Sequence, residues 1–201
     1  MQRELEPEVM DDPDEAAAYD AMDHRGPNEA FVERLVRLGA RGRALELGCG
    51  PGRIALLACE RIADLDVTGI DLAESMLELA RIRASRSPEA ARRLRFERAD
   101  ASALPYPDAH FDAVFSNTVL HHIPAPGPFL REAARVLRPD GVLLVRDLFR
   151  PTSPEKAREL VALHAADESP DQQELLRASL HAALTPEELR EAADGAGLGD
   201  S

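Results

Sequence analysis

A small set of side chains and backbone positions in this sequence sits where chemistry is done. Gly48, Gly50 and Gly52 recur at every second residue in "RALELGCGPGRIAL", Arg43 to Leu56, and Glu46 lies two residues before the first of them. Asp71 closes "VTGID", Asp100 closes "ERAD", and His121 follows "SNTVL" with His122 beside it. A glycine-rich turn between a strand and a helix admits a ligand close to the backbone, and the helix end adds free N–H groups and a partial positive charge. Acids at strand ends accept hydrogen bonds from ligand hydroxyls and amines. A histidine pair near neutral pH offers a general base.

The elements that must carry these residues follow from periodicity. Residues 43–48, 66–71, 94–100, 111–117 and 142–147 read as strands, and residues 53–63, 73–85 and 127–137 as the helices between them. Strict alternation of strand and helix predicts βαβ units, a parallel sheet and helices on both faces. "VLLV" (142–145) is apolar enough for burial on both sides. Ahead of this core lie an acidic lead (1–20) and a helix over 28–39. Behind it lie three amphipathic helices over 153–168, 170–184 and 185–197. Thr185, Pro186 and Glu188 form a capping box at the start of the last one. Asp71 with Glu74 fits a second box.

On such sheets a ligand sits at the carboxyl ends of the strands. A dinucleotide site asks for G-x-G-x-x-G, and Arg53 stands where the third glycine belongs. Glu46 suits a cation, such as an amino-acid ammonium, better than a pyrophosphate. An acid in the place of Asp71 serves NAD and S-adenosylmethionine proteins alike and does not separate them. Acids near the strand ends also suit a sulfonium.

The chain has 201 residues and a net charge of −13, from 24 basic and 37 acidic residues, which weighs against nucleic acid and anionic membrane partners. No apolar run approaches the ~20 residues that span a bilayer, and the acidic start is not a signal peptide. The expectation is a cytoplasmic protein. Cys49 and Cys59 do not make a disulfide framework; in the glycine loop Cys49 reads either as a reactive thiol at a helix start or as a small residue that fits a turn.

"LELGCGPGRIALL", "VTGIDLAESMLELAR", "ERADASALPYPDAHFDAVFSNTVLHHIP" and "EAARVLRPDGVLLVRD" together resemble the class I S-adenosylmethionine-dependent methyltransferases, from about Arg43 to Asp147. The resemblance implies a Rossmann-like doubly wound parallel sheet of order 3-2-1-4-5. It implies S-adenosyl-L-methionine as cofactor and a small-molecule methyl acceptor with an O, N, S or C nucleophile. By position, Glu46, Gly48, Gly50 and Gly52 surround the methionine part, Asp71 takes the ribose, Asp100 and Ala101 meet the adenine, Asn117 meets cofactor or substrate, and Tyr19 belongs to an N-terminal lid. His121 and His122 are the candidate catalytic residues, against the alternative that one packs beside the cofactor and the other caps a turn. No metal site is expected, because no third ligand lies at useful spacing from the pair. Arg146 and Asp147 read as substrate contacts or as a salt-bridged strand end.

The sequence departs from the family in one respect. Two further strands normally close the sheet, and here Gly195 to Gly199 resemble the turn into the sixth of seven. The expectation is one domain, with a lid over 1–42, a cofactor-binding core over 43–147, and a helical substrate lid with a truncated end over 148–201. The fifth strand is then an exposed apolar edge, which points to a fragment, a degraded gene, or a homodimer or other partner covering it. Leu163, Leu175, Leu176 and Leu180 are expected to form an apolar wall over the methyl group. Two rival readings stay open: a non-catalytic or truncated S-adenosylmethionine-binding module, and an NAD-dependent oxidoreductase.

Overall fold

The computed structural model describes residues 1–6, 11–22 and 24–199. Residues 7–10 of the acidic lead, Asp23 and the last two residues lie outside the described part. The sheet is formed by β1 (Gly42–Leu47), β2 (Leu65–Asp71), β3 (Leu94–Arg98), β4 (Phe111–Asn117) and β5 (Leu137–Arg146). Its order is β3-β2-β1-β4-β5 and every pairing is parallel, as the βαβ alternation requires. Order reverses between β1 and β4, which opens a crevice at their carboxyl ends.

Period-two alternation sends neighbouring residues of β1 into different cores. Ala44 packs with Phe31, Leu35, Ile54, Ala58 and Phe115, beneath α2 (Arg25–Arg37) and α3 (Arg53–Arg61). Leu45 and Leu47 pack with Ile70, Val114, Phe129 and Leu130, beneath α6 (Pro126–Val136) and α9 (Pro186–Gly195). Glu46 shares the Ala44 face, so its carboxylate points toward α3.

Several boundaries differ from the sequence reading for local reasons. Residues 138–141, which fall between the expected helix and strand, lie inside β5 as an irregularity: Phe111 pairs with Leu137 and Ala113 with Val142. A short helix α5 (Pro88–Ala91) and a 3₁₀ turn (Leu120–His122) are too brief to show periodicity. The Asp71–Glu74 capping box is absent: the residue capping α4 (Glu74–Ser85) is Ala73, with no side-chain cap, and Glu74 instead pairs with Arg81 at 2.6 Å. The Thr185 box forms as expected. The apolar wall also divides. Leu176 and Leu180 join Val161 between α7 (Pro154–His164) and α8 (Pro170–Ala182), whereas Leu163 is 72% exposed and Leu175 points outward. Leu176 and Leu180 are therefore used in packing α8 against α7.

The acidic lead contributes α1 (Pro13–Ala21), capped by Asp12. Ala16 and Tyr19 pack on Ala73 and Met76, so α1 lies over the start of α4. β5 pairs with β4 alone, and no sixth strand occurs among the described residues. No described helix is long and apolar enough to cross a membrane.

Candidate active site

The three glycines serve different ends. All have left-handed backbone, with φ of +68°, +50° and +71° for Gly48, Gly50 and Gly52, a conformation that disfavours a Cβ. A Cβ on Gly48 would lie 2.5 Å from Val119, and one on Gly52 2.8 Å from Ala80. Those two glycines are required by packing. A Cβ on Gly50 would meet nothing within 4 Å, so of the three this residue alone opens onto free space. Gly69, which sequence reading passed over, is needed as well: its Cβ would lie 2.9 Å from Cys49. Cys49 is buried beneath the loop, and burial holds its thiol well above its usual range. It is the small residue of the turn, not a nucleophile.

Asp71 fastens the loop to the end of β2. One carboxylate oxygen accepts from Gly50 N–H at 2.8 Å and the other from Ala73 N–H at 2.9 Å. Burial raises its pKa against the pull of these N–H groups and of His122. Glu46 is 3% exposed, and its Oε2 has no partner. Burial pushes its pKa well up, the Ala55 N–H in the first turn of α3 opposes this, and Asp71 adds to it. A buried carboxylate oxygen without a partner is costly, and a cation removes that cost.

The remaining cofactor candidates lie on α1 and at the ends of β3 and β4. Tyr19 packs against His24, with ring centroids 4.9 Å apart and planes tilted by 32°, and lies within the field of Asp71. Its neighbour Asp20 is gripped by Arg53 at 3.0 Å and by Arg83 at 2.7 Å, which ties α1 to both α3 and α4. Arg53 thus has its own function where a dinucleotide site has glycine. Ala101 is buried beyond β3, and the exposed Asp100 turns one oxygen to Ser102 N–H at 2.7 Å. Asn117 is already engaged: its Oδ1 accepts from Arg146 Nε at 2.7 Å, and that guanidinium covers the Phe31 ring at 4.9 Å. Arg146 is therefore a tie between β4, β5 and α2.

Thr118 follows with φ +60°, an uncommon value for a β-branched residue. The strained turn swings Val119 against Gly48 and leads into the histidines. Asp147 holds that turn. Its Oδ2 accepts from the N–H groups of Val119, Leu120 and His121, and its Oδ1 from Leu148 N–H at 2.7 Å. His121 Nδ1 lies 2.6 Å from the same Oδ1, and both side chains are buried. A carboxylate that takes four backbone N–H groups is an acceptor, so the Nδ1 proton points to Asp147, and in the neutral imidazole Nε2 carries the lone pair. Neither reading of Asp147, as a substrate contact or as a salt-bridged strand end, covers this: it orients a histidine.

His122 Nδ1 lies 2.8 Å from Glu6 Oε2, and Ser179 Oγ donates to Glu6 Oε1 at 2.6 Å. Arg3 donates to the carbonyls of His121, Ile123, Pro124 and Ala182, which binds the histidine turn to α8. Sequence reading missed both Glu6 and Arg3. They lie more than a hundred positions from the histidine turn, and a short acidic lead carries no periodic signal that would have placed them here.

A parallel 3-2-1-4-5 sheet with a glycine loop after β1 and an acid after β2 defines the Rossmann-like class of ligand-binding α/β proteins. The methyltransferase domain family matches residues 45–145, and the chain belongs to it, among the class I S-adenosylmethionine-dependent methyltransferases. It is 40% identical over 148 residues to the 27-O-demethylrifamycin SV methyltransferase of Amycolatopsis mediterranei, covering 67% of this chain and 53% of that one. Among solved structures it resembles YcgJ of Bacillus subtilis, with TM-score 0.65 and 24% identity over 86% of this chain and 68% of that one. It also resembles the [4+2]-cyclase SpnF, with TM-score 0.57 and 31% identity over 66% of this chain and 51% of that one. The chain spans about half the length of the curated relatives it matches.

Proposed function

We propose that the chain binds S-adenosyl-L-methionine and transfers its methyl group to a small organic molecule. The observation that carries this reading is the juxtaposition of Glu46 and Gly50. A buried carboxylate oxygen lacks a partner, and the glycine that faces free space lies on the loop that follows it. An ammonium-bearing ligand answers both. Glu46 would take that ammonium, Gly48, Gly50 and Gly52 would shape the backbone around the amino-acid part, and Asp71 would accept from the ribose hydroxyls. Asp100 and Ala101 would border the adenine, Tyr19 would close the site from α1, and Asn117 would act through Arg146 and not by direct contact.

When bound, the cofactor supplies an electrophilic methyl on a sulfonium. The chain supplies alignment, exclusion of water and, for a protonated nucleophile, a base. His121 would be that base, and its contact with Asp147, which would fix the ring and leave Nε2 to take the acceptor's proton, supports this reading. His122 and Glu6 flank it. The core over 43–147 binds the cofactor, while residues 1–42 and 148–201 cover the acceptor. The relative named for a rifamycin substrate supports an oxygen nucleophile on a small molecule. The unpaired cysteines support a reducing, cytoplasmic setting. A second copy or other partner along the outer edge of β5 belongs to the same proposal, with light scattering as its readout.

The test is release of S-adenosylhomocysteine from the purified chain across a panel of hydroxylated small molecules. Release that depends on the acceptor supports transfer. Cofactor binding with no release from any acceptor supports the rival reading of a binding module, which a neighbour named as a cyclase makes worth testing.

A further inference from the structure

The histidine turn and the N-terminal segment bring together a second set of groups whose chemistry is that of a metal. The third ligand that spacing around the histidine pair did not reveal comes from the far end of the chain. One ligand atom from each of Glu6, His121 and His122 lies within 4.8 Å of the others. We propose that these three side chains bind a divalent transition-metal ion, of the kind that Zn²⁺ and Co²⁺ represent, at the acceptor end of the cleft.

Donor chemistry comes first. Two imidazoles and one carboxylate suit zinc and its neighbours, and they leave a fourth position open. The outer shell is already built. Metal-binding histidines usually give their second nitrogen to a carboxylate, which fixes ring and tautomer. His121 does so: its Nδ1 is 2.6 Å from Asp147, whose own position is set by backbone N–H groups, and Nε2 is left as the donor. The ligating carboxylate is held in turn, by Ser179 at 2.6 Å. Both His121 and Glu6 therefore have their supporting partners in place.

Geometry and charge agree. Donors on a tetrahedral ion at ~2.0–2.1 Å lie about 3.3 Å apart. His122 Nδ1 and Glu6 Oε2 are already 2.8 Å apart, held by a proton that an ion would replace. The His121 and His122 rings stand 4.1 Å apart at 38°, so binding requires the rings to open. His122 can move, since its side chain is 38% exposed while that of His121 is 2% exposed. The same exposure gives an ion its entry path. Glu6 and Asp147 bring two carboxylates to the cluster, and Arg3 brings a guanidinium that donates to the His121 carbonyl. Occupation uses the lone pair that a proton-accepting His121 would offer, so ion and proton are alternative occupants of one cluster. This inference does not require methyl transfer, and it fails separately from it.

The test is titration of the metal-free full chain with Co²⁺, followed by visible absorption, with Zn²⁺ as competitor. The expected result is a saturable ligand-field band at a single equivalent, removed by zinc. Glu6→Gln and His122→Ala should each weaken binding by roughly tenfold or more, while His164→Ala, on α7, should leave it unchanged. Circular dichroism confirms that the variants fold. Among the six histidines, only His121 and His122 should lose their ring resonances in the paramagnetic form. No saturable band, a band that survives both Glu6→Gln and His122→Ala, or a thiolate charge-transfer band implicating Cys49 or Cys59 would overturn the assignment.

Discussion

Replacing Glu46 by Gln should make the protein more stable and its cofactor binding worse. Glu46 is buried, its Oε2 has no partner, and its pKa lies well above the ordinary glutamate value because burial outweighs the Ala55 N–H. A folded-state value above the unfolded one gives stability that is full at low pH and is lost as pH rises through the folded value. Gln keeps the shape and an oxygen for Ala55 and removes that loss. The gain at neutral pH should be on the order of 1 kcal/mol, or about 2–4 °C in Tm for a chain of this size, and it should shrink as pH falls toward the ordinary glutamate range. Cofactor binding should lose one charge-assisted contact of ~1.5–3 kcal/mol, which makes Kd roughly 10- to 150-fold weaker. There is a second signature. A cation placed beside Glu46 drives off its proton, so titration in buffers of different ionisation enthalpy should show proton release in the wild type and none in Glu46→Gln. Thermal melts and calorimetry read all three. A variant that is less stable and binds the cofactor normally would show that Glu46 only caps α3, and the reasoning would be refuted.

Asp71→Ala removes the acceptor of Gly50 and Ala73 N–H together with the proposed ribose contact, so affinity should fall by roughly 10- to 100-fold; unchanged affinity by calorimetry would show that the assigned pose is wrong. His121→Ala should slow transfer to a hydroxyl acceptor by roughly 10²–10⁴-fold with cofactor Kd within about twofold, and Asp147→Asn should act the same way through the lost orientation of His121; a single-turnover assay beside calorimetry separates the two effects. Gly48→Ala should cost roughly 2–4 kcal/mol of stability, because a left-handed Cβ is driven into Val119, whereas Gly50→Ala should cost only the ~1–2 kcal/mol of its backbone while weakening the cofactor, as paired urea and binding titrations would show.

The sheet was legible because strands and helices alternate with clean periods and because "RALELG" and "VLLV" differ so plainly from the helices between them. A candidate cofactor side could be proposed from sequence because its groups lie within a few residues of strand ends: the glycine turn after β1, Asp71 at the end of β2, Asp100 after β3. Even there, residue type and spacing could not tell that Gly48 and Gly52 answer to Val119 and Ala80 while Gly50 faces open space, or that Asn117 is engaged by Arg146. The surroundings of the histidine pair were not legible. His121 depends on Asp147, His122 on Glu6 and the turn on Arg3, and these partners meet only when β5 and the N-terminal segment come to the end of β4. Long-range polar contacts between isolated residues leave no periodic trace. The leucines of α7 and α8 misled because an amphipathic face shows that a helix packs, not what it packs against.

The central proposal is that the loop after β1 holds the ammonium-bearing cofactor of this family, and calorimetric titration of the purified chain with S-adenosylmethionine, S-adenosylhomocysteine and NAD tests this most directly. Saturable binding of the first two and none of NAD is the predicted result; binding of NAD, or of none of the three by a folded chain, would contradict it.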